Sequence, residues 1–363
     1  MPPDEPSPPM KAALGSLGAA LHQGPVMADG GLSTVLGELG APPLGPGTLG
    51  AGSLGAESLG AASLGAGALG AGSALGPGEV LATRPTPVEE AHVRMLRAGA
   101  QVVLAAGYQV SRLAVVASGR RPEDADALLV EATRRAVAAR DRVGAHERSP
   151  WVAASIGPYG AALGDGSEYR GRYDIGRNEL AEFHRERLEV WVEAQRHRST
   201  RADVWWCETI PDGVEIMVLA DGLADSLATL VERGLPAPEI VMTMTVGPDG
   251  RCPTGEPVGE ALAPVLDAAA WAPVAVGVNC CDPADVADAL ERLSAVTPLP
   301  LVAKPNLGGV WDAAAGRFQR AGTFTPDPER LRQWTDGRAR LIGGCCGTGT
   351  AGLADLARRL SAH

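Results

Sequence analysis

The sequence predicts an α/β fold, a closed (β/α)8 barrel of the TIM type, and two features of its pattern favour that fold. Short, continuously apolar segments recur eight times, as expected for parallel strands that are covered by helices. Between them lie stretches with apolar residues at three- and four-residue spacing, which indicate helices. Eight strand–helix units within 363 residues fit a closed barrel, and an open, doubly wound sheet is the alternative.

The eight apolar segments are the expected barrel strands, taken in chain order. They span residues 26–31, 101–107, 151–157, 204–211, 240–246, 275–280, 301–306 and 341–346. Polar and thiol residues collect where these segments end, as expected of a barrel whose active site lies at the carboxyl ends of its strands. These residues are Asp29, Tyr108, Glu208, Thr245, Asn279, Cys280, Asn306, Cys345 and Cys346.

Two segments do not fit the barrel pattern. Residues 1–24 are rich in proline, and Asp4 and Glu5 precede Lys11 where a secretory signal would be basic, so we expect a disordered leader on a cytoplasmic protein. Residues 48–73 repeat a five-residue unit of leucine, glycine, alanine and serine that has few large side chains to bury. We therefore expect one barrel over residues 25–363, interrupted at 43–78 by an insertion that is either flexible or a small lid.

Composition excludes several classes of partner. The formal net charge is −11, which argues against nucleic acid or an anionic membrane as the main partner. No window of 18 apolar residues is present, so the sequence predicts no transmembrane helix. The expected partners are small-molecule substrates.

Three of the six cysteines lie at the ends of expected strands. Cys280 follows the sixth segment, and Cys345 and Cys346 follow the eighth, where Gly343 and Gly344 allow the chain to leave the regular strand. Three thiolates supply three of the four tetrahedral ligands that zinc prefers, and an open fourth position is typical of a catalytic site. The spacing alone leaves open that these cysteines are buried as small apolar residues. That second interpretation is the one expected for Cys207, Cys252 and Cys281.

The segment 343–348, GGCCGT, together with 278–280, VNC, resembles the zinc-dependent homocysteine S-methyltransferase family. Other segments agree in order with that family, namely 29–34 (DGGLST), 96–101 (LRAGAQ) and 207–211 (CETIP). The segments 155–161 (SIGPYGA) and 165–171 (DGSEYRG) resemble the branch that uses S-methylmethionine. The resemblance covers about residue 25 to the end, apart from the insertion.

The resemblance implies an activity and a set of site residues. A methyl group would pass from S-methylmethionine or S-adenosylmethionine to a zinc-bound homocysteine thiolate, giving methionine. Zn²⁺ would be held by Cys280, Cys345 and Cys346. The residues implied for homocysteine are Asp29, Gly30, Gly31, Glu208 and Asn279, with backbone amides after Asp29 available for the substrate carboxylate. Candidates on the donor side are Tyr108, Tyr159 and Tyr169, whose ring faces attract cations, although simple packing of these rings is the alternative.

Several positions depart from the family pattern. The second strand has Ala105 and Gly107 where the family has hydroxyl residues, and Gly76 replaces a tryptophan. The seventh strand ends in Lys304 and Leu307, and the lysine charge is expected to oppose a sulfonium donor. Two alternatives therefore stand beside the methyltransferase. One is a zinc-thiolate methyltransferase with another methyl donor or thiol acceptor, and the other is a non-catalytic zinc-binding relative.

Overall fold

The computed structural model describes residues 15–41, 75–144, 150–268, 271–308, 311–312, 317–318 and 326–362. The strands are β1 (Val26–Met27), β2 (Val102–Leu104), β3 (Trp151–Ile156), β4 (Val204–Ile210), β5 (Glu239–Met244), β6 (Ala275–Asn279), β7 (Leu301–Lys304), β8 (Trp311–Asp312), β9 (Arg317–Phe318) and β10 (Ala339–Ile342).

The helices alternate with these strands. They are α1 (Leu17–Gln23), α2 (Leu32–Glu38), α3 (Pro77–Thr83), α4 (Pro85–Arg97), α5 (Arg112–Ala117), α6 (Asp124–Val143), α7 (Tyr159–Leu163), α8 (Arg177–Ala194), α9 (Gly213–Glu232), α10 (Val258–Ala268), α11 (Val286–Val296), α12 (Pro328–Asp336) and α13 (Thr350–Ser361). Short 3-10 turns lie at Ser167–Tyr169 and Pro248–Gly250. No helix in the described ranges is long and apolar enough to span a bilayer.

Eight parallel strands form the central sheet in the order β1-β10-β7-β6-β5-β4-β3-β2. A parallel bridge between Ala28 and Val102 joins β1 to β2, so the two ends of this order meet and the sheet closes. Each strand expected from the sequence overlaps one of the eight, and the predicted (β/α)8 barrel is confirmed. The strands β8 and β9 form a separate antiparallel pair.

Apolar side chains fill two layers, as the alternation of side chains along a strand requires. On β4, Trp205 belongs to the layer between the sheet and the helices, whereas the next residue, Trp206, belongs to the cluster inside the barrel. Inside, the indole of Trp206 donates a hydrogen bond to Thr243 Oγ1 at 2.9 Å. Apolar side chains therefore fill the inside of the barrel, and the carboxyl ends of the strands are where barrels of this type carry their sites.

Helix α1 packs at the amino-terminal end of the barrel. Leu17 and Leu21 join the interior cluster and are fully buried. The carboxylate of Glu239 accepts hydrogen bonds from the first backbone amides of α1, Leu17 N at 2.5 Å and Gly18 N at 2.9 Å. This departs from the expected disordered leader, because the chain is helical and packed from residue 17; residues 1–14 lie outside the described residues.

Most of the expected insertion lies outside the described residues, which resume at residue 75. Within the described part, Leu75 is buried and α3 begins at Pro77, slightly before the expected boundary at 78. Gly76 has a φ of +48°, and the side chain of Gln109 occupies the space that a side chain at position 76 would need. A tryptophan at this position would need the Gln109 side chain to move and would hold an unfavourable positive φ.

Candidate metal centre and active site

Three cysteine sulfur atoms meet at the carboxyl ends of β6 and β10. The Sγ atoms of Cys280, Cys345 and Cys346 all lie within 4.8 Å of one another, and those of Cys280 and Cys346 are 3.7 Å apart. Tetrahedral zinc with Zn–S bonds of about 2.3 Å holds its sulfur ligands about 3.8 Å apart. The cluster therefore fits Zn²⁺ with three protein ligands.

The backbone fixes these sulfur atoms before any metal binds. Cys280 has a φ of +53°, a conformation that costs about 1–3 kcal/mol in a residue other than glycine. Its N–H donates to the carbonyl of Lys304 at 3.1 Å, and Thr245 Oγ1 donates to its carbonyl at 3.4 Å. The Cys345 N–H donates to the carbonyl of Pro305 at 2.7 Å. Hydrogen bonds to neighbouring strands thus hold Cys280 in the unfavourable conformation that turns its sulfur toward the other two.

The thiols also act on one another. The thiols of Cys280 and Cys346 form hydrogen bonds to Cys345 and hold its pKa well below the ordinary value, and the Lys304 ammonium lowers it further. The pKa of Cys280 is raised, first by its hydrogen bond to Cys345. The three thiols therefore form one interacting group, in which the pKa of Cys345 is lowered and those of Cys280 and Cys346 are raised.

Gly30 and Gly31, which follow β1, lie close to the loop after β10 that carries Cys345 and Cys346. A Cβ atom at Gly31 would lie 2.8 Å from the carbonyl oxygen of Cys345, so only glycine allows this close approach. The Gly31 N–H donates to the carbonyl of Thr348 at 3.0 Å. This differs from the expected role of Gly31, because its amide is already engaged and is not free for a substrate carboxylate.

Asp29 and Lys304 form a buried ion pair across the strand ends. Lys304 Nζ lies 3.2 Å from Asp29 Oδ1, and the side chains are 3% and 2% exposed. The other carboxylate oxygen, Oδ2, accepts the N–H of Leu104 at 2.8 Å. Burial raises the pKa of Asp29, and the Lys304 ammonium opposes that rise. The lysine charge expected to stand against a sulfonium donor is therefore balanced by Asp29.

Glu208 lies at the end of β4 with both carboxylate oxygens engaged. Oε1 accepts the hydroxyl of Ser155, and Oε2 accepts Nδ2 of Asn279 at 3.4 Å. Burial raises the pKa of Glu208 to about 7, although Lys304 pulls it down in part. Near neutral pH this carboxyl group is therefore present in both protonation states.

The amide of Asn279 points to the end of β4. Its Oδ1 accepts the N–H of Thr209 at 2.7 Å, and its Nδ2 donates to Thr209 Oγ1 at 2.8 Å as well as to Glu208. Thr209 has a φ of +62°, so Asn279 stabilises a second unfavourable backbone conformation at the site. The structure thus places Asn279 where it positions Glu208.

The three tyrosines predicted for the donor side have different surroundings in the structure. The Tyr169 hydroxyl lies 3.1 Å from Cys280 Sγ. The ring of Tyr108 lies against Gly157, the residue that follows β3, and burial raises the pKa of Tyr108 well above its ordinary value. Tyr159 instead packs against Tyr173 and Phe183, with ring centroids 5.2 and 5.1 Å away. Tyr169 thus contacts a cysteine of the cluster, Tyr108 lies against the backbone after β3, and Tyr159 belongs to a packed aromatic cluster.

The altered positions of strands two and seven have different surroundings. Ala105 packs in the layer between the sheet and the helices. A Cβ atom at Gly107 would lie 3.0 Å from the carbonyl oxygen of Ser155 and 3.2 Å from Trp191, so a larger residue there would crowd this packing. Leu307 lies over Gly347, and its N–H donates to the carbonyl of Cys346 at 3.1 Å. Of these substitutions, Lys304 is the one that brings a new charge to the site.

Arg187 supports the site, and the sequence analysis did not identify it. From α8 its buried guanidinium donates to the carbonyls of Gly157 at 2.7 Å, Gly107 at 3.2 Å and Tyr108 at 3.1 Å. Burial lowers the pKa of Arg187 to about 10, which still leaves it charged at neutral pH. Arg187 thereby fixes the loops after β2 and β3, which carry Tyr108 and Tyr159. An arginine on a helix gives no signal for this role in the sequence.

The fold and the site together define a TIM-barrel enzyme with a three-thiol metal centre at the carboxyl ends of its strands. The family model of homocysteine S-methyltransferase matches residues 26–360, and the chain belongs to this family.

Known relatives and solved structures agree with this assignment. Homocysteine S-methyltransferase of Escherichia coli (strain K12) is 34% identical over 290 residues, which cover 79% of this chain and 88% of the relative. Homocysteine S-methyltransferase 1 of Arabidopsis thaliana is 33% identical over 293 residues, which cover 77% and 85%. The metallated form of the homocysteine methyltransferase MmuM from E. coli superposes with a TM-score of 0.70 at 29% identity, covering 93% of this chain and 96% of that chain. The predicted family, the assignment as an enzyme and the fit to zinc are thereby confirmed.

Proposed function

We propose that the protein transfers a methyl group from a sulfonium donor, S-methylmethionine or S-adenosylmethionine, to the thiol of homocysteine and so forms methionine. The observation that carries this proposal is the cluster of Cys280, Cys345 and Cys346, whose sulfur atoms lie within 4.8 Å of one another and supply three of the four ligands that zinc prefers. Beside it lie the charged side chains of Asp29, Glu208 and Lys304. A substrate that carries a thiol at one end and an amino and a carboxylate group at the other matches a metal centre with charged side chains beside it.

The three cysteines would hold the metal, which when bound lowers the pKa of a coordinated thiol and so provides a thiolate at neutral pH. The acceptor sulfur forms a bond to the methyl carbon as the bond between that carbon and the donor sulfur breaks. The electron pair of the broken bond stays on the donor sulfur, which leaves as a neutral thioether, and the thiol proton passes to solvent. Because the leaving group is neutral, no general acid is needed, and none of the residues at the site has to supply a proton.

The donor side of the site is proposed to lie between Tyr108, Tyr169 and Glu168. Glu168 is buried, and its Oε2 has no hydrogen-bond partner among the described residues. Burial raises the pKa of Glu168 to about 7, so above that pH it supplies a negative charge close to the two tyrosines. A carboxylate and two aromatic rings form a suitable surrounding for a sulfonium cation.

Reduced thiols are required at the metal centre, and we therefore propose a reducing compartment, the cytoplasm, as the location. Six cysteines are present as free thiols, which agrees with that proposal. The partners proposed for the site are small molecules.

The test is methionine formation by the reduced, zinc-loaded protein with homocysteine and either sulfonium donor. We expect methionine with at least one donor and none with Cys280→Ser, while Cys281→Ser, a buried cysteine outside the cluster, stays active. Bound zinc with no turnover of homocysteine would instead support a different acceptor or donor, or a non-catalytic relative.

A further inference from the structure

Glu215 is a buried acid that the proposed reaction does not use. It lies in the first turn of α9, and its side chain is fully buried. Its Oε1 accepts two hydrogen bonds from other elements, the N–H of Tyr159 at 2.6 Å and Nε2–H of His184 at 2.8 Å. Burial lowers the pKa of His184, although the bond to Glu215 opposes this, so the neutral ring carries its proton on the nitrogen that faces the carboxylate. A carboxylate loses its hydration on burial, and these two bonds replace it and fix where Oε1 lies.

The bond from Tyr159 places the start of α7. Pro158, which precedes this helix, has no side chain that could accept from its first amides, and the carboxylate that does so comes from α9. An acid at the amino-terminal end of a helix is favourable, because it meets the positive end of the helix dipole. The position of α7 is therefore set by a residue of another helix.

Helix α7 in turn packs against the loop that follows it. A Cβ atom at Gly160, the second residue of α7, would lie 2.6 Å from the carbonyl carbon of Ser167 and 2.8 Å from the ring of Tyr173. Two backbones are in contact here, so a shift of α7 has to move Ser167 and the residues joined to it. Two residues further on, the hydroxyl of Tyr169 lies 3.1 Å from Sγ of Cys280.

The start of α9 also meets the far end of this loop. A Cβ atom at Gly171 would lie 3.0 Å from Oδ2 of Asp212, and the other oxygen of Asp212 accepts the N–H of Glu215 at 2.8 Å. Asp212 and Glu215 thus contact the segment 159–171 at both of its ends. Tyr169 lies between these two points of contact.

We infer that Glu215 is a positioning residue of the metal centre, which determines through α7 how Tyr169 meets Cys280. His184 supports this role, because it donates the bond that keeps the carboxylate of Glu215 turned toward Tyr159. The inference goes beyond the proposed function, since it concerns how the protein holds a metal and does not depend on which thiol or methyl donor binds.

The experiment measures the zinc affinity of the reduced protein with a chromogenic chelator, in a double-mutant cycle of Glu215→Ala and Tyr169→Phe. We expect each single variant to bind zinc at least about 10-fold more weakly than wild type, because each loses support for a metal ligand. Since Glu215 acts through Tyr169, Glu215→Ala should weaken zinc less than about twofold when position 169 is already phenylalanine.

Cobalt provides a spectroscopic readout of the same contact. The thiolate-to-metal absorption band of Co²⁺ bound in place of zinc reports on the sulfur ligands, and both single variants should shift it in the same direction. The double variant should have the spectrum of Tyr169→Phe.

Asp203 provides a matched control for a general loss of stability. This partly buried carboxylate precedes β4 at the opposite end of the barrel and also accepts a backbone N–H and a side-chain donor, from Val152 at 2.8 Å and Arg140 at 2.9 Å. Asp203→Ala should lower the stability of the fold and leave zinc affinity within about twofold of wild type. An equal loss of zinc affinity in Asp203→Ala and Glu215→Ala would overturn the inference, because metal binding would then follow stability alone.

Removal of the Glu215 side chain leaves buried His184 without its partner, which can unfold the protein. Two variants at Tyr159 keep both groups: Tyr159→Pro removes the ring and the N–H, whereas Tyr159→Ala removes the ring alone. Proline is favourable at the first position of a helix, and Pro158 has the extended backbone that a following proline requires.

The proline variant should bind zinc roughly fivefold or more weakly than the alanine variant, because it lacks the bond to Glu215. The inference is overturned if these two variants bind zinc equally, or if Glu215→Ala weakens zinc as much in Tyr169→Phe as in wild type. Failure of the proposed function would appear differently, as the expected differences in zinc affinity without methyl transfer from either donor.

Discussion

The hydroxyl of Tyr169 lies 3.1 Å from Sγ of Cys280, so a residue of the loop after β3 touches a metal ligand that follows β6. The same loop carries Glu168, whose Oε2 on the proposed donor side has no hydrogen-bond partner among the described residues. A hydrogen bond to a metal ligand orients it and adjusts its electron density. The loop therefore links the metal centre to the space that a donor would occupy.

Tyr169→Phe should weaken zinc binding about 10- to 100-fold, because it removes this hydrogen bond and keeps the ring. Competition with a chromogenic zinc chelator measures the change. Tyr159→Phe is the matched control, since the Tyr159 ring packs against Tyr173 and Phe183 away from the cysteines. Equal affinities in wild type and Tyr169→Phe would show that the contact does not support the metal.

Cys280→Ala should abolish stoichiometric zinc binding, because two thiolates leave the site short of the three protein ligands expected of a catalytic zinc. Cys281→Ala provides the comparison at the next position, where the side chain is 3% exposed and packs in the outer apolar layer. Metal analysis after gel filtration should give one zinc per chain for Cys281→Ala and less than one tenth of that for Cys280→Ala. Zinc retained by Cys280→Ala would place the metal elsewhere.

The wild-type protein should lose folding stability in mild acid, because the buried ring of His92 resists protonation. Its ring is fully buried in α4, neither nitrogen has a hydrogen-bond partner among the described residues, and burial lowers its pKa to about 4 from the ordinary 6.5. Between these values the unfolded chain binds a proton that the folded protein does not, so stability is lost as the pH falls from 6.5 towards 4. From pH 7 to pH 5 this loss amounts to about 2 kcal/mol.

Urea unfolding of metal-free wild type and His92→Leu at the two pH values measures this contribution. The leucine variant cannot be protonated there, so its free energy of unfolding should fall less than that of the wild type over the same interval. An identical fall in both proteins would assign the acid sensitivity to other groups.

Leu21→Ala should lower the free energy of unfolding by about 3 kcal/mol, because it opens a cavity where α1 seals the base of the barrel. Leu21 is 1% exposed and belongs to the interior cluster. His22→Ala, an exposed position of the same helix, should stay within about 0.5 kcal/mol of wild type. A similar, small effect of both variants would mean that the barrel does not depend on α1.

The barrel was predictable because its signals are local: each strand is a short apolar run and each helix has its own spacing. The cysteine cluster was predictable for a related reason, since strand ends of a parallel barrel meet at one face. Helix α1 was missed because it has seven residues with three of them buried, too few for a periodic pattern beside a proline-rich segment.

The ion pair between Asp29 and Lys304 was missed because its partners are far apart in the chain. The sequence around a lysine at the end of an apolar strand does not indicate which carboxylate pairs with it, so the sequence suggested a free charge. The three carbonyl contacts of Arg187 were missed for the same reason, since they join a helix to loops that precede it by 30 to 80 residues. Contacts between side chains on different strands and helices form only when the barrel closes, so they cannot be predicted from local sequence.

The position of β10 has a consequence for the order in which the protein is made. This last strand of the barrel inserts between β1 and β7, and the loop after it carries Cys345 and Cys346. During synthesis, at about 5–20 residues per second, most of the barrel leaves the ribosome before two of the three sulfur ligands exist. A nascent chain therefore holds only Cys280 of the set and cannot retain zinc at this site until its final strand is in place. Zinc binding at this site therefore occurs only after the barrel is complete.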